Sequence, residues 1–194
     1  MHWGMLFATI FFLALQTLSL KKIEVSNLKE SMVSTALYSG LAFFILIPVL
    51  IISKPSFGTA TLFWGSLFGV FFVIALTAYY YAMHSGPLSY TTFFFSSSMI
   101  IPVIAGLIFW SEPISIPICL GILLFIAAAF CISVLGKTEN LTANRRWFLL
   151  CFVCWFFNGM LSVCLKQHQI LTNGRESIEM LAVSFLVASL FAVV

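Results

Sequence analysis

Long uncharged apolar stretches constrain the fold of this chain more than any other feature. Six of them occupy residues 3–20, 33–52, 60–83, 89–110, 114–135 and 147–165, and a seventh begins near Met180 and is still apolar at Val194. A helix needs about 20 residues to cross the hydrocarbon of a bilayer. Because these runs do not alternate as the strands of a membrane barrel do, the sequence predicts an all-α, polytopic transmembrane bundle of about seven helices.

The composition favours lipid over water as the solvent of this chain. Hydrophobic residues make up 62% of the sequence and charged residues only 8%, whereas a soluble domain carries about 25% charged residues. The lipid bilayer is therefore the first expected partner, and the cell membrane is the expected location. The nine Lys and Arg lie between the apolar runs and form no single patch, so no nucleic-acid partner is expected.

The distribution of positive charge favours one orientation. If the N-terminus lies outside, the inner loops are 21–32, 84–88 and 136–146. These loops hold six of the nine Lys and Arg. Because cytoplasmic loops are enriched in Lys and Arg, we expect this arrangement rather than its opposite.

A short internal repeat indicates two related units. Residues 20–32 read LKKIEVSNLKESM and residues 165–178 read LKQHQILTNGRESI, and each segment separates two apolar runs. If the match is not a coincidence, its period covers five helices. An odd period makes the second unit enter the membrane from the opposite side, which is the inverted repeat of many secondary transporters.

This repeat divides the chain into three parts. Residues 1–136 form a first five-helix repeat, residues 137–146 a polar linker, and residues 147–194 the start of a second repeat. A second unit of equal size needs helices beyond Val194. We therefore expect a complete protein of about ten helices, of which this chain is a truncated piece.

Five polar side chains within the apolar runs are candidates for lining a substrate cavity. The cavity-lining candidates are Gln16, Tyr80, Ser97, Ser98 and Asn158. Gln16 and Asn158 each need a hydrogen-bonding partner in lipid, either a substrate or a neighbouring helix. For Tyr80, near the end of its run, the alternative is anchoring at the membrane interface.

The run from 89 to 110 has the most suggestive pattern, because Ser97 and Ser98 precede Pro102. Proline removes the hydrogen bond to the carbonyl four residues earlier, that of Ser98, and kinks a helix. A free carbonyl beside hydroxyls could line a cavity. Alternatively, the serines allow close helix packing and satisfy the kink themselves. Gly65 and Gly69, at GxxxG spacing, also predict close helix contact.

Chemistry-bearing residues are scarce. No carboxylate is expected at mid-membrane depth in a complete span, which argues against proton coupling within these helices. Cys151 and Cys154 are interpreted as two small apolar residues of one helix, and His168 is expected near a helix end or in a loop. We therefore expect no metal, no cofactor and no catalytic residue, and predict that the chain is not an enzyme.

The stretch from Ala75 to Ser133 resembles the EamA-type repeat of the drug/metabolite transporter superfamily. The features that match are a tyrosine- and alanine-rich helix end, a short turn, small residues opening the next helix, and then Pro102, Glu112 and Gly121 in order. The resemblance covers most of residues 3–136 and the start of a second copy. It implies that Pro102, Glu112 and Gly121 are structural positions.

The resemblance also implies a fold and an activity. Members of this superfamily are secondary transporters in which two inverted five-helix repeats enclose a central cavity. Two departures stand out: the family's N-terminus is commonly cytoplasmic, against the charge count here, and its short multidrug exporters use a glutamate in the first helix, where this chain has Gln16. Antiport of cationic drugs is therefore not expected.

The sequence thus predicts a secondary transporter or exporter of a small metabolite that works by alternating access. A small-molecule substrate is the expected partner, and a homodimer is compatible with the sequence. A seven-helix receptor or sensor remains an alternative if the chain ends naturally at Val194. A membrane-embedded enzyme is a third hypothesis, for which these helices offer no polar constellation.

Overall fold

The computed structural model describes Phe11 and residues 28–53, 55–135 and 144–193. The predicted first span, with Gln16, and most of the predicted linker lie outside the described residues. The described part is all-α, which confirms the predicted fold class. Its seven helices are α1 (Leu28–Ser53), α2 (Thr59–Ser85), α3 (Leu88–Ser97), α4 (Ile100–Phe109), α5 (Ile116–Leu135), α6 (Arg145–Thr172) and α7 (Ser177–Val193).

Four stretches of helix are long and apolar enough to cross a membrane: α1, α2, α6, and α3 with α4 taken as one span of 22 residues. The helix α7 and residues 116–128 of α5 are shorter apolar segments. Large apolar side chains cover the outside of these helices, and Leu123, Leu124 and Phe130 of α5 are each more than 60% exposed. Such a surface requires lipid rather than water around it.

Helix α2 lies at the centre of the described fold and packs against α1, α3, α6 and α7. It runs antiparallel to α6, since Thr61 contacts His168 at one end and Gly86 lies against Trp147 at the other. It runs parallel to α7, along which Gly69 approaches so closely that a Cβ atom would lie 2.5 Å from the carbonyl oxygen of Ser184.

Helices α1 and α7 are antiparallel neighbours. Val33 near the start of α1 lines the same groove as Val193 at the end of α7. Farther along, a Cβ atom on Gly40 would lie 4.0 Å from that of Ser189. Ala36 packs between these two levels, against the buried Ala188.

These directions give the bundle two ends, which we name by their charged residues. The glutamate end holds Gly58, Glu112 and Glu176, and the arginine end holds Gly86 and Arg145. Each described span therefore runs from one end to the other, as the sequence predicted from its alternating runs and loops.

The span formed by α3 and α4 is broken at Ser98 and Met99. The prediction that Pro102 frees the Ser98 carbonyl is wrong, because the backbone N–H of Ile101 donates to that carbonyl at 3.0 Å. At this point the chain forms a 3₁₀ turn, in which the N–H of Ile101 bonds to the carbonyl three residues earlier. This bond takes the place of the α-helical bond that Pro102, which has no N–H, cannot donate.

Helix α6 is longer than the apolar pattern indicates. The sequence predicts its end near residue 165, whereas the helix continues to Thr172. It ends where Asn173 and Gly174 adopt positive φ angles of 51° and 73°, a conformation that closes helices. His168 therefore lies in the helix and not in a loop.

Candidate functional site

A polar cluster bridges two spans near their middle. The side-chain amide of Asn158 in α6 donates to the hydroxyl of Ser98 at 2.6 Å and to the carbonyl of Phe95 at 3.3 Å. The Ser98 hydroxyl itself donates to the Phe95 carbonyl at 2.7 Å. We call Phe95, Ser98 and Asn158 the amide cluster. It brings together two of the cavity candidates taken from the sequence.

The helix break explains why this cluster forms. In a regular helix the N–H of Met99 would bond to the Phe95 carbonyl, but here it donates to the Ser96 carbonyl at 3.3 Å. The Phe95 carbonyl instead accepts the backbone N–H of Ser98 at 3.3 Å, and the side chains of Ser98 and Asn158 each donate a further hydrogen bond to it. Among the described residues, none donates a hydrogen bond to the Oδ1 atom of Asn158.

The other sequence candidates have different surroundings. Ser97 is buried and donates to the carbonyl of Phe94 at 2.7 Å, which is a local helix contact. Tyr80 is 1% exposed and belongs to a cluster with Tyr79 and Cys154. Because Tyr80 is enclosed by protein, it does not act as an interfacial anchor, the alternative that its position in the sequence suggested.

Aromatic side chains pack beside the amide cluster, on the arginine side of the break. The rings of Tyr79 and Phe95 lie 4.4 Å apart, centre to centre, with an angle of 32° between their planes. Trp147 is buried at the arginine end of α6 and donates its indole N–H to the Thr91 hydroxyl at 2.9 Å. These contacts fix α3 against α2 and α6 on the arginine side of the break.

A second cluster lies at the glutamate end and was not predicted. The Thr61 hydroxyl of α2 hydrogen-bonds both the Glu176 carboxylate and, at 3.0 Å, the Nε2 atom of His168. Glu176 also accepts from the backbone N–H of Gly58 at 3.1 Å and from the Ser56 hydroxyl at 3.3 Å. We call Thr61, His168 and Glu176 the histidine cluster.

Proton counting fixes the histidine tautomer. Thr61 has one hydroxyl proton, and it donates that proton to Glu176, which when ionised can only accept. Thr61 must then accept from an N–H at His168 Nε2. In the neutral ring, Nδ1 carries the remaining lone pair. Nδ1 is the only buried side-chain N or O atom without a hydrogen bond among the residues that the structure describes. Such an atom costs about 1–3 kcal/mol.

The carboxyl of Glu176 lies in the turn between α6 and α7, outside the spans. The hydrogen bond from Thr61 lowers its pKa most, and those from Gly58 and Ser56 act in the same direction. These donors favour the carboxylate over the neutral acid.

Glu112 lies next to this end, and its carboxylate pairs with the Lys166 ammonium at 2.5 Å. The same ammonium sits 4.5 Å above the Trp110 ring, whose indole donates to Gln167 at 2.9 Å. The ion pair therefore ties the end of α4 to α6.

Gly121 of α5, the third family position, has open surroundings: a Cβ atom there would meet no atom within 4 Å in the described part of the chain.

The sequence signals for the histidine cluster were weak. Thr61 and His168 are 107 residues apart, and His168 falls in a polar stretch that resembles a loop. Within residues 28–53, 55–135 and 144–193, no group of three or more His, Cys, Asp or Glu could hold a metal ion.

The apolar spans and the buried polar clusters between them define a helical membrane protein. Comparison with protein-family models, curated proteins and solved structures gives no match for the chain.

Proposed function

We propose that the chain forms part of a secondary transporter of the cell membrane, similar to the EamA-like members of the drug/metabolite transporter superfamily, and that it moves a small polar or amphipathic metabolite by alternating access. The amide cluster is the observation that carries this proposal. Broken helices near mid-membrane are a recurring element of transporter binding sites, because they expose backbone groups to a substrate.

The position of the amide cluster supports this function. Ser98 belongs to the first predicted unit, residues 1–136, and Asn158 to the second, residues 147–194. Transporters with inverted repeats bind their substrates near the bilayer midplane at the interface between the repeats. A substrate N–H or O–H can bind the Oδ1 atom of Asn158, and the Tyr79 and Phe95 rings offer an apolar surface beside it.

The contact between α1 and α7 supports the inverted repeat. The two repeated sequence segments come immediately before or at the start of these helices, which makes α1 and α7 the equivalent second helices of the two units. Equivalent helices of an inverted repeat run in opposite directions, and these two do so while packing against each other.

A membrane-embedded enzyme fits the geometry less well. In a nucleophilic triad the histidine lies between the hydroxyl and the carboxylate, so that it can take the hydroxyl proton. Here Thr61 lies between His168 and Glu176, and its proton is already directed to the carboxylate. A seven-helix receptor does not require a broken span whose break contacts a second repeat. The transporter is therefore the better fit.

The test is counterflow in liposomes that contain the full-length protein. Vesicles preloaded with one metabolite should take up its radiolabelled form, and a panel of amino acids, nucleosides, sugars and cationic drugs should identify the substrate class. Asn158→Leu should lower uptake at least about tenfold, which corresponds to about 1.4 kcal/mol of lost substrate binding. The control is Ser96→Ala, which removes an exposed hydroxyl of α3, close in sequence to the Ser98 that Asn158 contacts. No counterflow for any compound class would overturn the proposal.

A further inference from the structure

Protein interiors rarely leave a polar atom without a partner, and the Nδ1 atom of His168 is such an atom. The His168 side chain is fully buried and contacts Thr61 where α6 packs against α2. An apolar side chain at this position would avoid an unpaired acceptor. The histidine therefore points to a bound species that the unpaired nitrogen receives.

The surroundings indicate that this species is a proton. A neutral imidazole accepts one proton on its free nitrogen, and the ring then carries a positive charge and two N–H donors. Two carboxylates belong to the neighbouring turn and helix: Glu176, which shares the Thr61 hydroxyl with the ring, and Glu179, which is buried in the first turn of α7. On α2 the ring faces the uncharged Thr61, and Lys166 of α6 pairs with Glu112 of the loop after α4.

Each protonation state has its own support in this environment. The neutral ring donates through Nε2 to Thr61 and avoids placing a charge in an apolar bundle. The protonated ring keeps that bond, gains a second N–H donor at Nδ1, and is attracted to the Glu176 carboxylate that shares the Thr61 hydroxyl with it. The neutral ring leaves Nδ1 without a hydrogen bond from a described residue, and the protonated ring places a charge inside the bundle. Because neither form is fully stabilised, the ring can bind and release a proton during function.

The site also lies where such a proton would matter mechanically. Thr61 belongs to the first predicted unit, whereas His168, Glu176 and Glu179 belong to the second. A charge gained on the ring strengthens its attraction to the carboxylates and changes the hydrogen bonds that join the turn before α7 to α2. In alternating access one unit moves against the other. A proton on His168 therefore changes the hydrogen bonds at the contact between the two predicted units.

We propose that the histidine cluster is a proton-binding site: Nδ1 of His168 takes a proton from the aqueous phase at the glutamate end and releases it in a later state of the transport cycle, so that proton movement is coupled to substrate movement. The coupling rests on the proposed transport function; the proton site itself does not. The Nδ1–H bond forms as an O–H bond of hydronium breaks and leaves water behind, and the reverse exchange releases the proton.

Nitrogen NMR tests the site without any substrate. The full-length protein, labelled with ¹⁵N-histidine and held in lipid nanodiscs, is titrated between about pH 8 and pH 5, the range in which histidine ordinarily changes charge. The resonances absent from the His168→Gln spectrum report His168. We expect one ring proton, on Nε2, at the alkaline limit and two at the acid limit. A ring that keeps a single proton throughout overturns the proposal.

A pH gradient tests the coupling. Proteoliposomes with the substrate found by counterflow should build a substrate gradient of up to about tenfold per pH unit, the limit for one proton per substrate. The amide of His168→Gln can still donate to Thr61. For this variant we divide the accumulation driven by the pH gradient by its own counterflow, and this ratio should fall to the value measured without a pH gradient. His84→Gln is the matched control, since His84 is exposed at the arginine end.

The outcomes separate the two proposals. Wild-type counterflow that no pH gradient can drive overturns the coupling and leaves the transport function standing. Absence of counterflow overturns the transport function, while the NMR titration still decides whether His168 is a proton site. If His168→Gln fails to elute as a monodisperse protein, Glu179→Gln replaces it, and removal of this carboxylate should reduce gradient-driven accumulation in the same ratio.

Discussion

Asn158 of α6 and Ser98 of the broken span are joined by a 2.6 Å hydrogen bond between the side-chain amide and the hydroxyl. This bond links two helices across the region where α3 gives way to α4. The same amide also donates to the Phe95 carbonyl beside the break, and no described residue donates to its Oδ1 atom. The same residue pair therefore serves structure and, in our proposal, substrate binding.

The first prediction concerns the energy of that bond. Ser98→Ala and Asn158→Ala should each lower the stability of the protein, and their double-mutant cycle should give a coupling energy of about 0.5–1.5 kcal/mol, the net value of a hydrogen bond in a protein interior. Unfolding in detergent micelles by increasing SDS measures it. A cycle of Ser96→Ala with Asn158→Ala should give no coupling, and equal coupling in both cycles would contradict the geometry.

The sequence was sufficient to predict the described helices over residues 28–53, 59–85 and 88–109 and the place of the break. Apolar runs of this length can only be helices in lipid, and Pro102 cannot continue a regular hydrogen-bond pattern. It was not sufficient to predict how the break is satisfied. The bond from Ile101 to the Ser98 carbonyl is a local choice of turn that the apolar pattern does not encode, and the contact of Asn158 with Ser98 joins residues 60 positions apart.

The second prediction uses the lowered pKa of Glu176. Its folded-state pKa lies below the value of an unfolded carboxyl because Thr61, Gly58 and Ser56 donate to the carboxylate. Its contribution to stability is therefore fully present above the unfolded pKa and is lost as the pH falls through the folded value. The thermal midpoint of the wild type should fall on acidification by more than that of Glu176→Gln. Parallel curves for the two proteins would refute this assignment.

The third prediction concerns the contact of α2 with α7. Gly69→Ala places a methyl group 2.5 Å from a backbone oxygen, and backbone cannot move aside as a flexible side chain can. We expect a loss of about 1–3 kcal/mol, the usual cost of overpacking. Gly121→Ala meets no neighbour, so it should be neutral or stabilise by up to about 1 kcal/mol through helix propensity. SDS unfolding of both variants measures the contrast, which would be absent if α7 packed elsewhere.

The histidine cluster shows what the sequence could not reveal. The polar residues from Lys166 to Gln169 lower the hydropathy of the segment, so an apolar pattern ends the helix too early. Helix α6 nevertheless continues, because Trp110 and Glu112 of the neighbouring span bind Gln167 and Lys166 and Thr61 binds His168. Tertiary contacts here override the local signal, and they bring together residues that no motif connects.

The fourth prediction tests the inverted architecture. Lys29 and Arg175 are equivalent in the internal repeat, and they lie at opposite ends of the bundle, at the start of α1 and in the turn before α7. In a cysteine-free background, Lys29→Cys and Arg175→Cys should react with a membrane-impermeant maleimide from opposite sides of the membrane. The predicted inner loops hold six of the nine Lys and Arg, so we expect Lys29, which lies in one of them, to face inside and Arg175 to face outside. In whole cells only Arg175→Cys should react, and in inverted vesicles only Lys29→Cys. Labelling of both from the same side would be incompatible with two units of opposite orientation and with the transport mechanism proposed from them.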